Sequence, residues 1–122
     1  ILTPFIIKKW KNKIINVHPS LLPSFKGLNT HKRALETGVK ISGCTIHFVD
    51  ESLDGGPIIA QSAITIKNNI TELKLQKQIL KLEHQIYPKV VHLFSKKKIL
   101  IKNNKVLVIN GNKKINKFIK KV

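Results

Sequence analysis

An apolar pattern with helical spacing in the second half of the chain limits what this sequence can fold into. The pattern predicts one long amphipathic helix, in which large aliphatic side chains share a face at Leu73, Ile79, Leu80, Leu82, Ile86, Val90 and Leu93. Asn69 and Glu72 have the spacing of a capping box at its start, and Pro88 is a candidate position for a bend. A chain of 122 residues is long enough to bury that face in one compact domain, but too short for two domains.

Short runs rich in β-branched residues predict strands on both sides of the helix. The expected strands cover residues 14–17, 44–49, 57–66, 99–101 and 106–109, of which the last two form a hairpin. Two shorter helices are also expected. One opens at Thr3-Pro4, and the other is capped by Thr30 and stops at Gly38. Together these elements indicate the α/β class.

Two loops follow predicted strands and carry polar residues. Residues 18–29 form the first loop, and a loop of this length in a compact domain is more often functional than idle. Residues 50–56 form the second, which is rich in turn-forming residues. If the two preceding strands belong to one parallel or mixed sheet, their C-terminal ends face a common crevice.

Three polar side chains in these segments could act together, namely Asn16, His18 and Asp54. An imidazole can move a proton near neutral pH, a carboxylate can orient it, and an asparagine amide can donate to a developing oxyanion. Acyl transfer to an amine requires such a set. From the spacing alone, His18 fits a structural role equally well, and structural roles are expected for His31, His47, His84 and His92.

The charge of the chain raises nucleic acid or an anionic membrane as a partner. The chain has 23 Lys and Arg against 6 Asp and Glu, for a net charge of +17. However, Arg33 is the only arginine, and base and phosphate recognition favours the planar guanidinium. Heavy general use of lysine, isoleucine and asparagine explains the charge as well as a binding role does. Nucleic-acid binding is therefore the less favoured interpretation.

Cysteine usage and hydropathy bear on the compartment. Cys44 is the only cysteine, and no Cys or His spacing matches a zinc site, so we expect a reduced, cytoplasmic setting without a bound metal. No apolar run approaches the ~20 residues that a membrane-spanning helix needs. A membrane role is therefore not expected.

The stretch from Asn16 to Gly27, NVHPSLLPSFKG, resembles the signature loop of the formyltransferases that use formyltetrahydrofolate. The likeness extends from Ile1 to about Phe94 and is greatest to the purine-pathway member, through LNTHKRAL at 28–35, GCTIHFV at 43–49 and LDGGPIIAQ at 53–61. The tRNA-formylating member typically has Ala-Ala-Pro at residues 28–30, and the hydrolysing member His-Ser-Phe at residues 19–21. This chain departs from both patterns.

The resemblance implies a Rossmann-like formyltransferase fold with a mixed sheet flanked by helices. It also implies transfer of a formyl group from 10-formyltetrahydrofolate to glycinamide ribonucleotide, without a metal. By this resemblance Asn16 polarises the formyl oxygen, His18 carries protons and Asp54 holds the imidazole. The folate pocket would comprise Ile1, Leu2, Ile7, Asn16, Asp50, Glu51, Ser52, Leu53 and Asp54, and Glu83 would contact the nucleotide substrate.

The resemblance covers only the C-terminal, catalytic and folate-binding half of such a domain. The family's N-terminal half holds the substrate phosphate at a glycine-containing loop, and neither Gly55-Gly56 nor Gly111 is such a loop. Residues 1–122 are therefore expected to be part of one domain, with a flexible basic tail at 111–122. Two alternatives stay open: formyl transfer to tRNA or hydrolysis of formyltetrahydrofolate, and a non-enzymatic basic module that binds nucleic acid. The oligomeric state is not predictable from these residues.

Overall fold

The computed structural model describes residues 2–109 of the chain. The elements in chain order are α1 (Pro4–Lys9), β1 (Ile15–His18), α2 (Thr30–Thr37), β2 (Ile41–Phe48), β3 (Ile58–Thr65), α3 (Glu72–Ser95), β4 (Ile99–Lys102) and β5 (Lys105–Val108). The predicted α/β class is confirmed. Two predictions, that Ile1 lines the folate pocket and that residues 111–122 form a flexible tail, lie outside the described residues.

The larger sheet has the order β1-β2-β3, and both of its pairings are antiparallel. Ile15 is opposite Phe48 and His18 is opposite Thr45. Consequently β1 and β2 end at opposite ends of their shared ladder, and the crevice expected from parallel strand ends does not form between them. The loop after β2 has to fold back along β1 to bring its residues to His18.

The long helix α3 covers one face of this sheet. Its buried side chains follow one stripe, namely Leu75, Ile79, Leu82, Ile86, Val90 and Leu93. They pack against Cys44, Ile46 and Phe48 of β2 to form the core. Leu73 and Leu80, which the pattern placed on the apolar face, are 59% and 46% exposed, while Leu75 was missed. The prediction of the helix is confirmed, but part of its buried face was assigned to the wrong positions, because leucines at neighbouring positions fit the apolar pattern equally well.

The helix boundaries agree with the predictions in part. Thr3 caps α1 through its side chain, and Gly38 ends α2 with a left-handed φ of 80°. The predicted capping box at Asn69 is wrong, because α3 begins one residue after Thr71, whose hydroxyl accepts from the Lys74 N–H at 3.1 Å. The predicted cap at Thr30 is also wrong: the N-cap is the preceding Asn29, and Thr30 is the first helical residue.

The predicted hairpin forms a separate two-stranded sheet of β4 and β5. Asn103 and Asn104 connect the strands with φ of 52° and 59°, which are values typical of a type I′ turn. Val108 joins the core beside α3 and β3. No helix within residues 2–109 is long and apolar enough to cross a membrane.

Candidate active site

The face of the sheet opposite α3 is polar. Asn16 pairs across the strands with His47, and His18 pairs with Thr45, so these four side chains share one side of β1 and β2. His18, Thr45 and His47 are buried, whereas Asn16 is exposed. Both faces of β2 are therefore covered, one by α3 and the other by the loops that carry the candidate site.

His18 is 6% exposed and has an oxygen acceptor near each ring nitrogen. Its Nε2 lies 2.9 Å from the carbonyl oxygen of Phe25. Its Nδ1 lies 3.6 Å from Oδ2 of Asp54. Since a carbonyl oxygen can only accept, Nε2 carries a proton in this arrangement, and Nδ1 is the nitrogen that can exchange one beside the carboxylate.

The Asp54 carboxylate is fixed by the backbone of the first loop. The Gly27 N–H donates to Asp54 Oδ2 at 2.8 Å. Asp54 itself has a left-handed φ of 49°, and its side chain is only 15% exposed. The two loops that the sequence singled out are thus joined directly, and His18 and Asp54 lie side by side.

A buried hydroxyl anchors the first loop to β2. The Thr45 hydroxyl donates to the Ser20 carbonyl at 2.7 Å and accepts from the Leu22 N–H at 3.0 Å. The Gln61 amide on β3 donates to the same hydroxyl at 3.0 Å and to the Leu22 carbonyl at 2.9 Å. The loop groups in these bonds belong to the backbone of Ser20 and Leu22, so the segment after His18 is held independently of its own side chains.

A cavity of about 580 Å³ reaches the pair through Asp54, while His18 lies buried behind it. The cavity is lined by Leu2, Ile7, Ile14, Ile15, Asn16, His47, Val49 and residues 50–54. It gathers every predicted folate-pocket residue that the structure describes. Its composition is apolar at α1 and β1 and polar at the loop, as binding sites for small molecules commonly are. The Asn16 amide makes no hydrogen bond to residues 2–109, so it is free to bind a ligand in this cavity.

The cavity loop holds its own shape through local contacts. The Asp50 carboxylate accepts from the Ser52 N–H at 2.8 Å and also from the Ser52 hydroxyl. A Cβ added at Gly56 would overlap the carbonyl oxygen of Phe48, so only glycine fits where the loop returns to β2. The Asp50–Ser52 contacts thus fix the loop before Asp54, and Gly56 fixes its path after Asp54.

Glu83 lies apart from the other candidate residues. It lines a second, mostly apolar cavity of about 500 Å³ with Val17, Leu80, His84, Tyr87 and Pro88. This cavity is on the α3 side of β1, opposite Asn16. Burial raises the pKa of the Glu83 carboxyl above its usual value, and attraction to His84 and His18 opposes this only in part. Glu83 is thus within electrostatic range of His18 but not in the same cavity.

Sequence reasoning missed two residues at the site. Thr45 was not singled out, and His47 was expected to be structural. His47 lines the cavity, and its Nδ1 lies 2.9 Å from the Phe48 carbonyl, while its buried Nε2 has no partner within residues 2–109. The strict alternation in Asn16-Val17-His18 and Thr45-Ile46-His47 could have identified both residues, since alternate strand positions share a face.

Within the described part of the chain, no three His, Cys, Asp or Glu side chains are grouped as metal ligands would be. The lone Cys44 is buried on the α3 side of the sheet. Burial raises the pKa of its thiol to about 12, the Glu83 carboxylate adds to this effect, and a hydrogen bond with the Ser62 backbone opposes it. Cys44 is therefore a core residue and is held as the neutral thiol.

Known proteins with similar sequences align with most of this chain. Human trifunctional purine biosynthetic protein adenosine-3 is 52% identical over 85 residues, which are 70% of this chain and 8% of that protein. Phosphoribosylglycinamide formyltransferase of Bacillus subtilis strain 168 is 48% identical over 86 residues, 70% of this chain and 44% of that protein. The chain thus spans less than half the length of either relative.

A solved structure gives the same result for the fold. Phosphoribosylglycinamide formyltransferase from Anaplasma phagocytophilum superposes with a TM-score of 0.90 at 43% identity, over 99% of this chain and 58% of that one. This confirms the Rossmann-like formyltransferase fold expected from the resemblance. In addition, the family model described as "Formyl transferase" matches residues 1–91. The chain belongs to the formyl transferase family.

Proposed function

We propose that this chain forms the donor-binding and proton-transfer part of a phosphoribosylglycinamide formyltransferase. Such an enzyme moves a formyl group from 10-formyltetrahydrofolate to the amine of glycinamide ribonucleotide in purine biosynthesis. The observation that carries this proposal is the buried His18–Asp54 pair, whose carboxylate lines the same cavity as Asn16. Residues 1–122 would be the C-terminal part of one domain, and the remaining part would bind the nucleotide phosphate.

The proposed reaction is acyl transfer through a tetrahedral intermediate. The substrate amine attacks the formyl carbon, and the Asn16 amide donates a hydrogen bond to the oxygen as negative charge develops there. The amine loses a proton, the bond from the formyl carbon to folate N10 breaks, and N10 gains a proton. His18 would relay that proton through Nδ1; the contact of its Nε2 with the Phe25 carbonyl supports this assignment.

Asp54 has two roles in this scheme. Its carboxylate lies 3.6 Å from His18 Nδ1, where it would offset the positive charge that develops on the ring during the relay. It also orients the His18 ring from the Nδ1 side, while the Gly27 N–H fixes the carboxylate. These steps use only hydrogen bonds and proton transfer, so they require no metal ion.

The cavity beside Asn16 is the proposed site of the folate. Leu2 and Ile7 would supply apolar contacts, and residues 50–54 would wrap the ring of the donor. The unpartnered Nε2 of His47 adds a buried polar atom that a donor group of the ligand can satisfy. Glu83 would contact glycinamide ribonucleotide from the other side of β1, where its cavity is large enough to admit part of a substrate.

The proposed partners are therefore small molecules and not nucleic acid or membrane. Both candidate cavities contain carboxylates and apolar side chains, a composition that does not suit a nucleic-acid surface. A cytoplasmic location fits the free Cys44 thiol, because free thiols persist in reducing compartments.

The test is formyl transfer from 10-formyltetrahydrofolate to glycinamide ribonucleotide by the full-length protein that contains this chain. We expect His18→Ala to lower kcat by roughly 10²–10⁴-fold, as loss of a general acid–base group does. The matched control is His92→Ala, which removes an exposed imidazole from α3 and should leave the rate unchanged. Formation of formate without formylated product would identify a hydrolase instead. A folded protein with neither activity would refute the proposal.

A further inference from the structure

Arg33 on α2 lies outside the catalytic trio, but its guanidinium contacts the loop that supports the trio. Its Nη1 donates to the carbonyl oxygen of Lys26 at 2.6 Å and to that of Leu28 at 2.9 Å. Its guanidinium carbon lies 5.5 Å from the centre of the Phe25 ring. Arg33 is the only arginine in the chain. Its guanidinium contacts the two residues on either side of Gly27 and the ring of Phe25.

Residues 25–28, which Arg33 contacts, hold both His18 and Asp54 in place. The Phe25 carbonyl holds His18 Nε2 at 2.9 Å, and the Gly27 N–H holds Asp54 Oδ2 at 2.8 Å. Phe25 also has a left-handed φ of 55°, which is unfavourable for a bulky residue and persists only where neighbouring groups enforce it. From within the loop the Ser20 hydroxyl donates to the Ser24 carbonyl at 2.6 Å and to the Phe25 carbonyl at 3.3 Å, and Arg33 supports the loop from α2.

We propose that Arg33 is a positioning residue for the His18–Asp54 pair. It keeps residues 25–28 in the one conformation in which the Phe25 carbonyl faces the imidazole and the Gly27 N–H faces the carboxylate. The guanidinium suits this role because it is flat. Two hydrogens on Nη1 reach two carbonyls in the guanidinium plane while a face of the group packs on an aromatic ring.

A lysine ammonium cannot make this set of contacts at once. It keeps the positive charge but has no plane, and its side chain is shorter. Arg33→Lys therefore keeps the positive charge but loses the planar geometry, whereas Arg33→Ala removes both the charge and the geometry. The matched control is Lys32→Ala, which removes a cation from the neighbouring position on α2, where Lys32 is 65% exposed and pairs only weakly with Glu36 at 4.0 Å.

The first measurement is amide hydrogen exchange in the full-length protein. We expect Arg33→Ala and Arg33→Lys to speed exchange of the Gly27 amide by about 10-fold, the effect of losing about one net hydrogen bond of local protection. Exchange at Ile46 in the core of β2 should change less than about two-fold, since local opening does not reach the core. Unchanged exchange at Gly27, or an equal rise at both amides, would overturn the proposal.

The second measurement is steady-state formyl transfer, and this part rests on the proposed function. We expect both Arg33 variants to lower kcat by about 10-fold with KM for either substrate within about two-fold, because positioning affects the transition state more than binding. Lys32→Ala should match the wild type. Selective exchange at Gly27 with an unchanged kcat would overturn the catalytic consequence. If the wild-type protein transfers no formyl group, the exchange result still decides the positioning role.

Discussion

Removing the Thr45 hydroxyl tests whether the loop after His18 is held by β2. Thr45→Val keeps the shape of a side chain that is fully buried, with a relative exposure of 0%. It deletes the hydroxyl that bonds the Ser20 carbonyl at 2.7 Å and the Leu22 N–H at 3.0 Å. Two backbone groups of the loop therefore lose their partner in a place where water does not easily replace it.

The magnitude follows from that count of groups. A buried backbone group that loses its hydrogen bond costs about 1–3 kcal/mol, and burying a methyl group in place of the hydroxyl returns about 1 kcal/mol. For two groups the net loss is about 1–5 kcal/mol of unfolding free energy, with a central value of about 3 kcal/mol. The Gln61 amide also loses its 3.0 Å bond to the Thr45 hydroxyl, but it keeps its bond to the Leu22 carbonyl at 2.9 Å, so the loop is weakened but not released.

Urea denaturation of the full-length protein measures this loss. At a slope of about 2 kcal/mol/M, the middle of the usual range, a loss of about 3 kcal/mol lowers the midpoint by roughly 1.5 M with the slope unchanged. The control is Thr65→Val, the same substitution at an exposed position of β3, which should stay within about 0.5 kcal/mol of the wild type. If Thr45→Val is no more destabilising than Thr65→Val, the hydroxyl does not anchor the loop and the reasoning is wrong.

Two further predictions concern Glu83 and Cys44. Since burial raises the pKa of Glu83 in the fold, the ionised form is destabilising there, and Glu83→Gln should raise the urea midpoint near neutral pH. The gain should vanish once the pH falls below the usual value of 4.5, where Glu83 is protonated in both folded and unfolded chains. Cys44, buried and with its pKa raised to about 12, should react with a chromogenic thiol reagent only after denaturation. A midpoint gain for Glu83→Gln that is independent of pH, or rapid labelling of native Cys44, would contradict these two accounts.

The outline of the fold was accessible from local patterns. The spacing of aliphatic residues predicted α3, and β-branched runs predicted β2, β3 and the terminal hairpin, because helical and strand periodicity are written directly in the sequence. The predictions that were wrong concern positions where two residues near each other in the chain could fill the same structural role. Thr71 caps α3 in place of Asn69, and Leu75 is buried in place of Leu73, since either choice satisfies the same local rule.

The site was only partly accessible. Resemblance to a family directed attention to Asn16, His18 and Asp54, and the structure brings the last two to within 3.6 Å. The expected cause was wrong, because β1 and β2 are antiparallel and do not end at one edge. The loop after β2 folds back instead, and its return next to Phe48 is possible only with glycine at position 56.

The sequence by itself determined the local elements of this protein and the chemical types available to its site. Those properties depend on residues close together in the chain, through periodicity, caps and turn-forming residues. Only the tertiary structure decided that Gly27 fixes Asp54, that Thr45 anchors the loop after His18, and that Arg33 supports both halves of the acid–base pair. Each of these contacts joins a side chain to a backbone group of another segment, and backbone groups are the same in every residue. The sequence therefore contains no pattern that identifies such partners before the chain has folded.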